Sequence, residues 1–140
     1  MRKSLAALVA GTLMLLASTG VSANLGQFVG KWENIDAKTR GLTRLEITTA
    51  GNKVKVHAYG NCEPSACDLG EMEGVAYAPS VESDVAATAK AITVSYAGGE
   101  MMMVIRPVEG GRLQAETFTR FTDGSGRAAY TAVDTFARGR

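Results

Sequence analysis

Apolar residues along most of this chain recur with period two. Val54, Val56 and Ala58 fall on one side of an extended segment, with Lys53, Lys55, His57 and Tyr59 on the other. Ile92, Val94 and Tyr96 alternate with Thr93 and Ser95, and Tyr130, Ala132 and Phe136 alternate with Thr131 and Thr135. Side chains alternate across a strand, so this is the signature of half-buried β-strands rather than helices. Turn residues separate the periodic segments. Gly51-Asn52 parts Leu42–Thr49 from Lys53–Gly60, and the stretch Cys62 to Cys67 parts that strand from Asp68–Ala78. Gly98-Gly99 lies between Ala91–Ala97 and Glu100–Pro107. Glu109-Gly110-Gly111 leads into Arg112–Phe121, and Asp123-Gly124-Ser125-Gly126 leads into Ala128–Arg138. Short glycine-rich connections of this kind make antiparallel hairpins. With Phe28–Asn34 in front, the pattern predicts eight strands, and the one longer gap, Pro79 to about Ala87, reads as a loop with a bend.

Consecutive hairpins make a meander, and an open meander leaves two unpaired edges. Pairing the first strand with the last removes both. The expected fold is therefore all-β, an eight-stranded antiparallel up-and-down barrel. A half-open barrel or a β-sandwich is the alternative, because periodicity alone does not separate them. A barrel of this size has an interior that side chains fill or that holds one small ligand.

The first residues differ from the rest. Arg2 and Lys3 precede an apolar run from Leu5 to Ala17, then Ser18, Thr19 and Gly20, then Val21-Ser22-Ala23. A positive start, a greasy segment and a small-residue exit make a secretory signal. The run falls short of the roughly 20 residues that a permanent membrane anchor needs. The expected organisation is a signal peptide at 1–23, cleaved after Ala23, and one barrel domain at 24–140, periplasmic or secreted. The chain carries 15 basic and 14 acidic residues without a long run of either sign. That balance gives no electrostatic reason to expect nucleic acid or an anionic membrane as partner.

Cys62 and Cys67 lie in the expected mature chain, and in an oxidising compartment pairing is the default. The alternatives are a redox-active pair and metal binding with His57 and Asp68, the Cys-x4-Cys spacing being at the limit of zinc sites and His57 the sole histidine. Met101-Met102-Met103 offers soft thioethers suited to Cu(I). On a strand, however, Met101 and Met103 join Ile105 as a core stripe while Met102 and Val104 face out. Glu33, Asp36, Glu46, Asp68, Glu71 and Asp134 are scattered, and no pairing for acid–base work or Ser–His–Asp set is indicated. Asp123–Arg127 lacks the further acidic positions of a calcium loop and reads as a turn. Asp134 alternates onto the face of Tyr130, Ala132 and Phe136; if that face is inward it needs a partner, which Arg106 or Arg120 would supply.

Two terminal motifs carry a resemblance. Gly30-Lys31-Trp32 followed by Asn34 opens the first strand, and Phe136-Ala137-Arg138 closes the last. This resembles the calycin pattern of lipocalins, avidins and bacterial metalloprotease inhibitors, which are eight-stranded antiparallel barrels. The resemblance implies that Gly30, Trp32 and Arg138 are structural, with the guanidinium lying over the indole and capping the barrel floor; Arg120 and Arg127 are the alternatives to Arg138 in that role. The chain departs from lipocalins in lacking the expected C-terminal helix, and from avidins in having a single tryptophan, so biotin binding is not implied. The Gly-x-Trp-x-Asn start, the segment from Gly60 to Gly70 and Asp123–Arg127 also resemble a bacterial exported family, which implies a fold and a compartment but no activity.

The expected function is a non-enzymatic exported binding protein, monomeric and without cofactor, that takes an unknown small molecule or an exported protein. Tyr59, Tyr77, Tyr96, Met103 and Asp134 are the candidate ligand-lining residues. One alternative is a protein-interaction or protease-inhibitor-like barrel, although only Asn24 to Val29 precede Gly30 as an inserting tail. Another is a copper- or other metal-binding periplasmic protein. No catalytic residue is assigned.

Overall fold

The computed structural model describes residues 24–140; the expected signal peptide and its cleavage after Ala23 lie outside the described residues. Strands form at β1 Gly30–Asn34, β2 Leu42–Ala50, β3 Lys53–Gly60, β4 Cys67–Tyr77, β5 Ala91–Tyr96, β6 Met101–Val108, β7 Arg112–Thr119 and β8 Tyr130–Arg138. They pair in chain order, all antiparallel, into a closed barrel. The closing seam sets Trp32 against Arg138 and Asn34 against Phe136. Of the expected architectures, the closed up-and-down barrel is the one adopted.

The alternation read from the sequence is the one that fills the interior. Val54, Val56, Ala58, Ile92, Val94, Tyr96, Met103, Ile105 and Phe136 are buried. Charged pairs lie outside: Arg44 with Glu46 at 3.4 Å, Lys55 with Glu71 at 3.1 Å and Arg106 with Glu116 at 4.0 Å. An apolar inside and a charged outside is the reverse of an outer-membrane barrel, whose lipid face is apolar and whose lumen is polar.

Antiparallel order sorts the connections onto two ends. Loops 51–52, 78–90 and 109–111 lie at one end, the floor. A 3-10 helix, Leu25–Phe28, closes it and buries Leu25 and Phe28. The first strand therefore begins at Gly30 rather than at Phe28, because Phe28 turns under the barrel. Its carbonyl accepts the indole N–H of buried Trp32 at 2.8 Å. The Arg138 guanidinium lies 4.4 Å from the Trp32 ring centroid and donates to the carbonyls of Val29 at 2.8 Å and Gln27 at 3.3 Å. Gly30 permits this approach, with φ of 136° and an added Cβ only 2.8 Å from Arg138 Nη1. The gap after Pro79 contains one helical turn, Val85–Thr88, capped by Asp84, whose carboxylate accepts the Ala86 N–H at 2.9 Å. Its C-cap Ala89 is buried, and the Ala89 carbonyl accepts from the Gln27 amide at 3.2 Å.

Loops 35–41, 61–66, 97–100 and 120–129 share the other end, the mouth. Residues 120–129 form a longer connection than the hairpin turn expected, since strand pairing stops at Thr119 and Tyr130. Side chains order it instead. Arg127 donates to Asp123 at 2.6 Å and lies 3.7 Å over the Phe121 ring, which stacks on Tyr130.

Candidate functional site

The mouth holds a cavity of about 430 Å³ inside the barrel rim. That is within the roughly 300–1,000 Å³ of small-molecule sites. Leu42, Leu69, Met101 and Ala132 supply apolar wall; Arg40, Asn61, Thr117, Thr119 and Asp134 supply polar groups; Gly41, Gly60, Cys62, Cys67 and Tyr130 complete the lining. Tyr96 and Met103 are buried in the packed interior and do not line this cavity.

Asp134 organises one side of the mouth. Its Oδ1 accepts from Asn34 Nδ2 at 2.8 Å and from the Thr39 hydroxyl at 3.1 Å, and its Oδ2 accepts from the Leu42 N–H at 3.4 Å. Asn34 also donates to the Leu42 carbonyl at 2.7 Å, and the Thr39 hydroxyl accepts the Gly41 N–H at 3.0 Å. Gly41 lets the carboxylate approach, because an added Cβ would sit 2.8 Å from Asp134 Oδ2 and displace it. Asn61 then links this loop to the cysteine loop, with its N–H on the Gly41 carbonyl at 2.9 Å and its amide on the Thr39 carbonyl at 2.8 Å. The expectation that Arg106 or Arg120 partners Asp134 is corrected. Arg106 pairs with Glu116 on the outer wall, and Arg120 lines an outer groove. Asp134 instead takes neutral donors from the loop between β1 and β2, which reach it because β1 and β8 are neighbours.

Cys62 and Cys67 form a disulfide with Cα atoms 5.4 Å apart, within the usual range. The bridge holds the loop that lines the cavity. Loop-closure entropy for so short a loop is worth about 2 kcal/mol. Reduction is expected to lower the melting temperature by roughly 6–12 °C and to raise amide exchange in 60–69 before the floor. Unchanged exchange there on reduction would remove the bridge from the mouth's rigidity.

His57 and Asp68 meet on the outer wall. Asp68 accepts from His57 at 2.5 Å and from the Gly70 N–H at 2.8 Å. His57 stacks on Tyr59 at 4.5 Å, and Arg44 lies 3.9 Å over the same ring. The cysteines are committed to each other and do not join this pair as ligands. The hydrogen bond from His57, then that from Gly70, holds the Asp68 carboxyl below the usual carboxylate range. A lowered carboxyl contributes stability above its unfolded pKa and loses it as pH falls through the folded value. Asp68→Asn is therefore expected to flatten the acid limb of the melting temperature against pH, below about pH 4. A curve parallel to that of the unsubstituted protein would show that the pair contributes nothing.

The sequence candidates thus separate. Asp134 lines the cavity. Tyr59 lies on the outer wall with His57, and Tyr77, half exposed, accepts from Thr93 on the outside at 3.2 Å. Tyr96 sits on β5 beyond the last residue paired with β4, and its hydroxyl donates to the Val56 carbonyl at 2.6 Å. Burial pushes that phenol well above the ordinary tyrosine range. The three consecutive methionines diverge: Met101 lines the mouth, Met102 is exposed and Met103 is buried. Sequence reasoning missed Thr39, Gly41, Leu42, Asn61, Leu69 and Ala132. A signal existed for Ala132, which shares the alternation of Asp134 and Phe136.

A more open groove of about 480 Å³ runs on the outer wall, lined by Met102, Phe118, Arg120 and Tyr130 among others. Tyr130 borders both spaces. Comparison with family models, with curated proteins and with solved structures finds no match.

Proposed function

We propose that the chain is an exported, non-enzymatic binding protein of calycin-like build, periplasmic or secreted, whose barrel mouth takes a small, mainly apolar molecule. The observation that carries this reading is the 430 Å³ cavity at one end of a barrel whose other end is plugged by buried Leu25 and Phe28. Its wall is apolar, its polar groups converge from several strands and loops, and the disulfide and the Asp134 network hold its rim before any ligand arrives. Preorganisation of this kind reduces the ordering cost of binding. The disulfide is consistent with an oxidising compartment. The Gly30, Trp32 and Arg138 arrangement supports the calycin-like reading.

Two alternatives lose support. An inhibitor that inserts its N-terminal segment needs that segment free, whereas Leu25 and Phe28 are buried in the floor. A copper site on the methionine run needs thioethers that converge, and these face three environments. A protein partner on the outer wall is the second reading, favoured by exposed Met102, Phe118, Val133 and Tyr130.

The test is native mass spectrometry of protein purified from an oxidising compartment. A co-purifying organic mass, lost when Ala132→Trp fills the mouth, is the expected result. A bare chain that pulls down an exported protein through Phe118 would replace this reading with the second.

A further inference from the structure

We infer that the occupant of the mouth is a small amphiphilic cation, an apolar body bearing a protonated amine that docks on Asp134. This rests on the small-molecule reading above and names the ligand class. Leu42, Leu69, Met101 and Ala132 give the cavity a wall for an alkyl or ring body. Asp134 gives it one charged group carried on a strand, where position is fixed by the barrel ladder.

Among the described residues the hydrogen bonds to that carboxylate come from the neutral donors Asn34, Thr39 and the Leu42 N–H. Among the described residues no lysine, arginine or histidine forms an ion pair with it. A carboxylate offers about four acceptor sites. Oδ1 uses two, while Oδ2 receives a single long bond at 3.4 Å. Oδ2 therefore keeps accepting capacity at a half-buried position beside an apolar cavity. The neutral donors leave the carboxylate's charge uncompensated, and an ammonium group would both pair with that charge and donate to Oδ2. Alcohols supply the hydrogen bond without the charge, and carboxylates would meet repulsion. Arg40 also lines the cavity, but it is exposed on a loop, where its opposing charge is screened by solvent.

The experiment is isothermal titration calorimetry at pH 7 with heptylamine, 1-heptanol and heptanoate, three probes sharing one alkyl chain; the amine is protonated there. The expected order is amine, alcohol, carboxylate, with the amine at least about tenfold tighter than the alcohol. In Asp134→Asn, checked for folding by its melting curve, the ratio of amine to heptanol affinity measured within the variant should fall to within about threefold. Equal affinity of amine and alcohol in the unsubstituted protein, or heptanoate as the tightest, overturns the inference and leaves the cavity reading standing. A preference that survives Asp134→Asn places the amine elsewhere and also overturns it. If none of the three binds, the small-molecule reading itself fails.

Discussion

Trp32→Ala is expected to cost about 3–5 kcal/mol, the range for deleting a large buried aromatic side chain. Trp32 is 1% exposed, donates to the Phe28 carbonyl at 2.8 Å and supports the Arg138 guanidinium at 4.4 Å. One substitution therefore opens a cavity in the floor, orphans a carbonyl and removes the platform for the arginine. Domains of this size have only about 5–15 kcal/mol in total, so a large part of the stability goes. Arg138→Ala should cost less, about 1–2 kcal/mol, because the side chain is exposed and its contacts are a cation–π contact and hydrogen bonds with water as competitor. The two losses should not add, since each removes the other's partner. Urea unfolding followed by far-ultraviolet circular dichroism measures both; fluorescence would not, as Trp32 is the sole tryptophan. A loss below about 1 kcal/mol for Trp32→Ala would mean that the floor is not a stabilising plug.

Asp134→Ala should be the second most damaging change considered, at about 2–3 kcal/mol. Hydrogen bonds to a charged group are worth about 1.5–3 kcal/mol each when well buried. Here water replaces part of the loss, because the site is only half-buried. The damage should be local. Loop 35–41 loses its anchor at Asn34, Thr39 and Leu42, and the Asn61 contacts to Thr39 and Gly41 lose their support. Hydrogen exchange should therefore rise at 36–42 and 60–62 while Trp32 and Phe136 neighbours stay protected. A uniform rise across the barrel would indicate that Asp134 acts on the fold as a whole and not on the mouth.

The barrel was legible because its strands obey two simple rules. Alternation at Val54–Ala58 and Ile92–Tyr96 assigns each side chain to one wall, and glycine-rich turns mark each reversal. The mouth was harder to read. Period two tells inside from outside but not height along the barrel, which depends on register between strands. Tyr96 and Asp134 both point inward, yet one is packed in the interior and the other lines the cavity. Tyr59 already fell on the polar side with Lys55 and His57, so its alternation argued against an inward role. Thr39, Gly41 and Asn61 look like ordinary turn residues in sequence. They become a site only because barrel closure brings β1 beside β8, joining segments about a hundred positions apart, as in the Asn34–Asp134 hydrogen bond. The helical turn at Val85–Thr88 is too short to show a helical period, so the sequence reads there as a loop with a bend.

The most direct test of the mouth as the binding site is a ¹⁵N-edited NMR titration of the oxidised protein with 1-heptanol. The account predicts saturable shifts clustered at Leu42, Gly60, Leu69, Met101, Thr117 and Ala132, with the Trp32 indole signal unmoved. Shifts clustered instead at Met102, Phe118 and Thr131 on the outer wall, or spread without saturation, would contradict it.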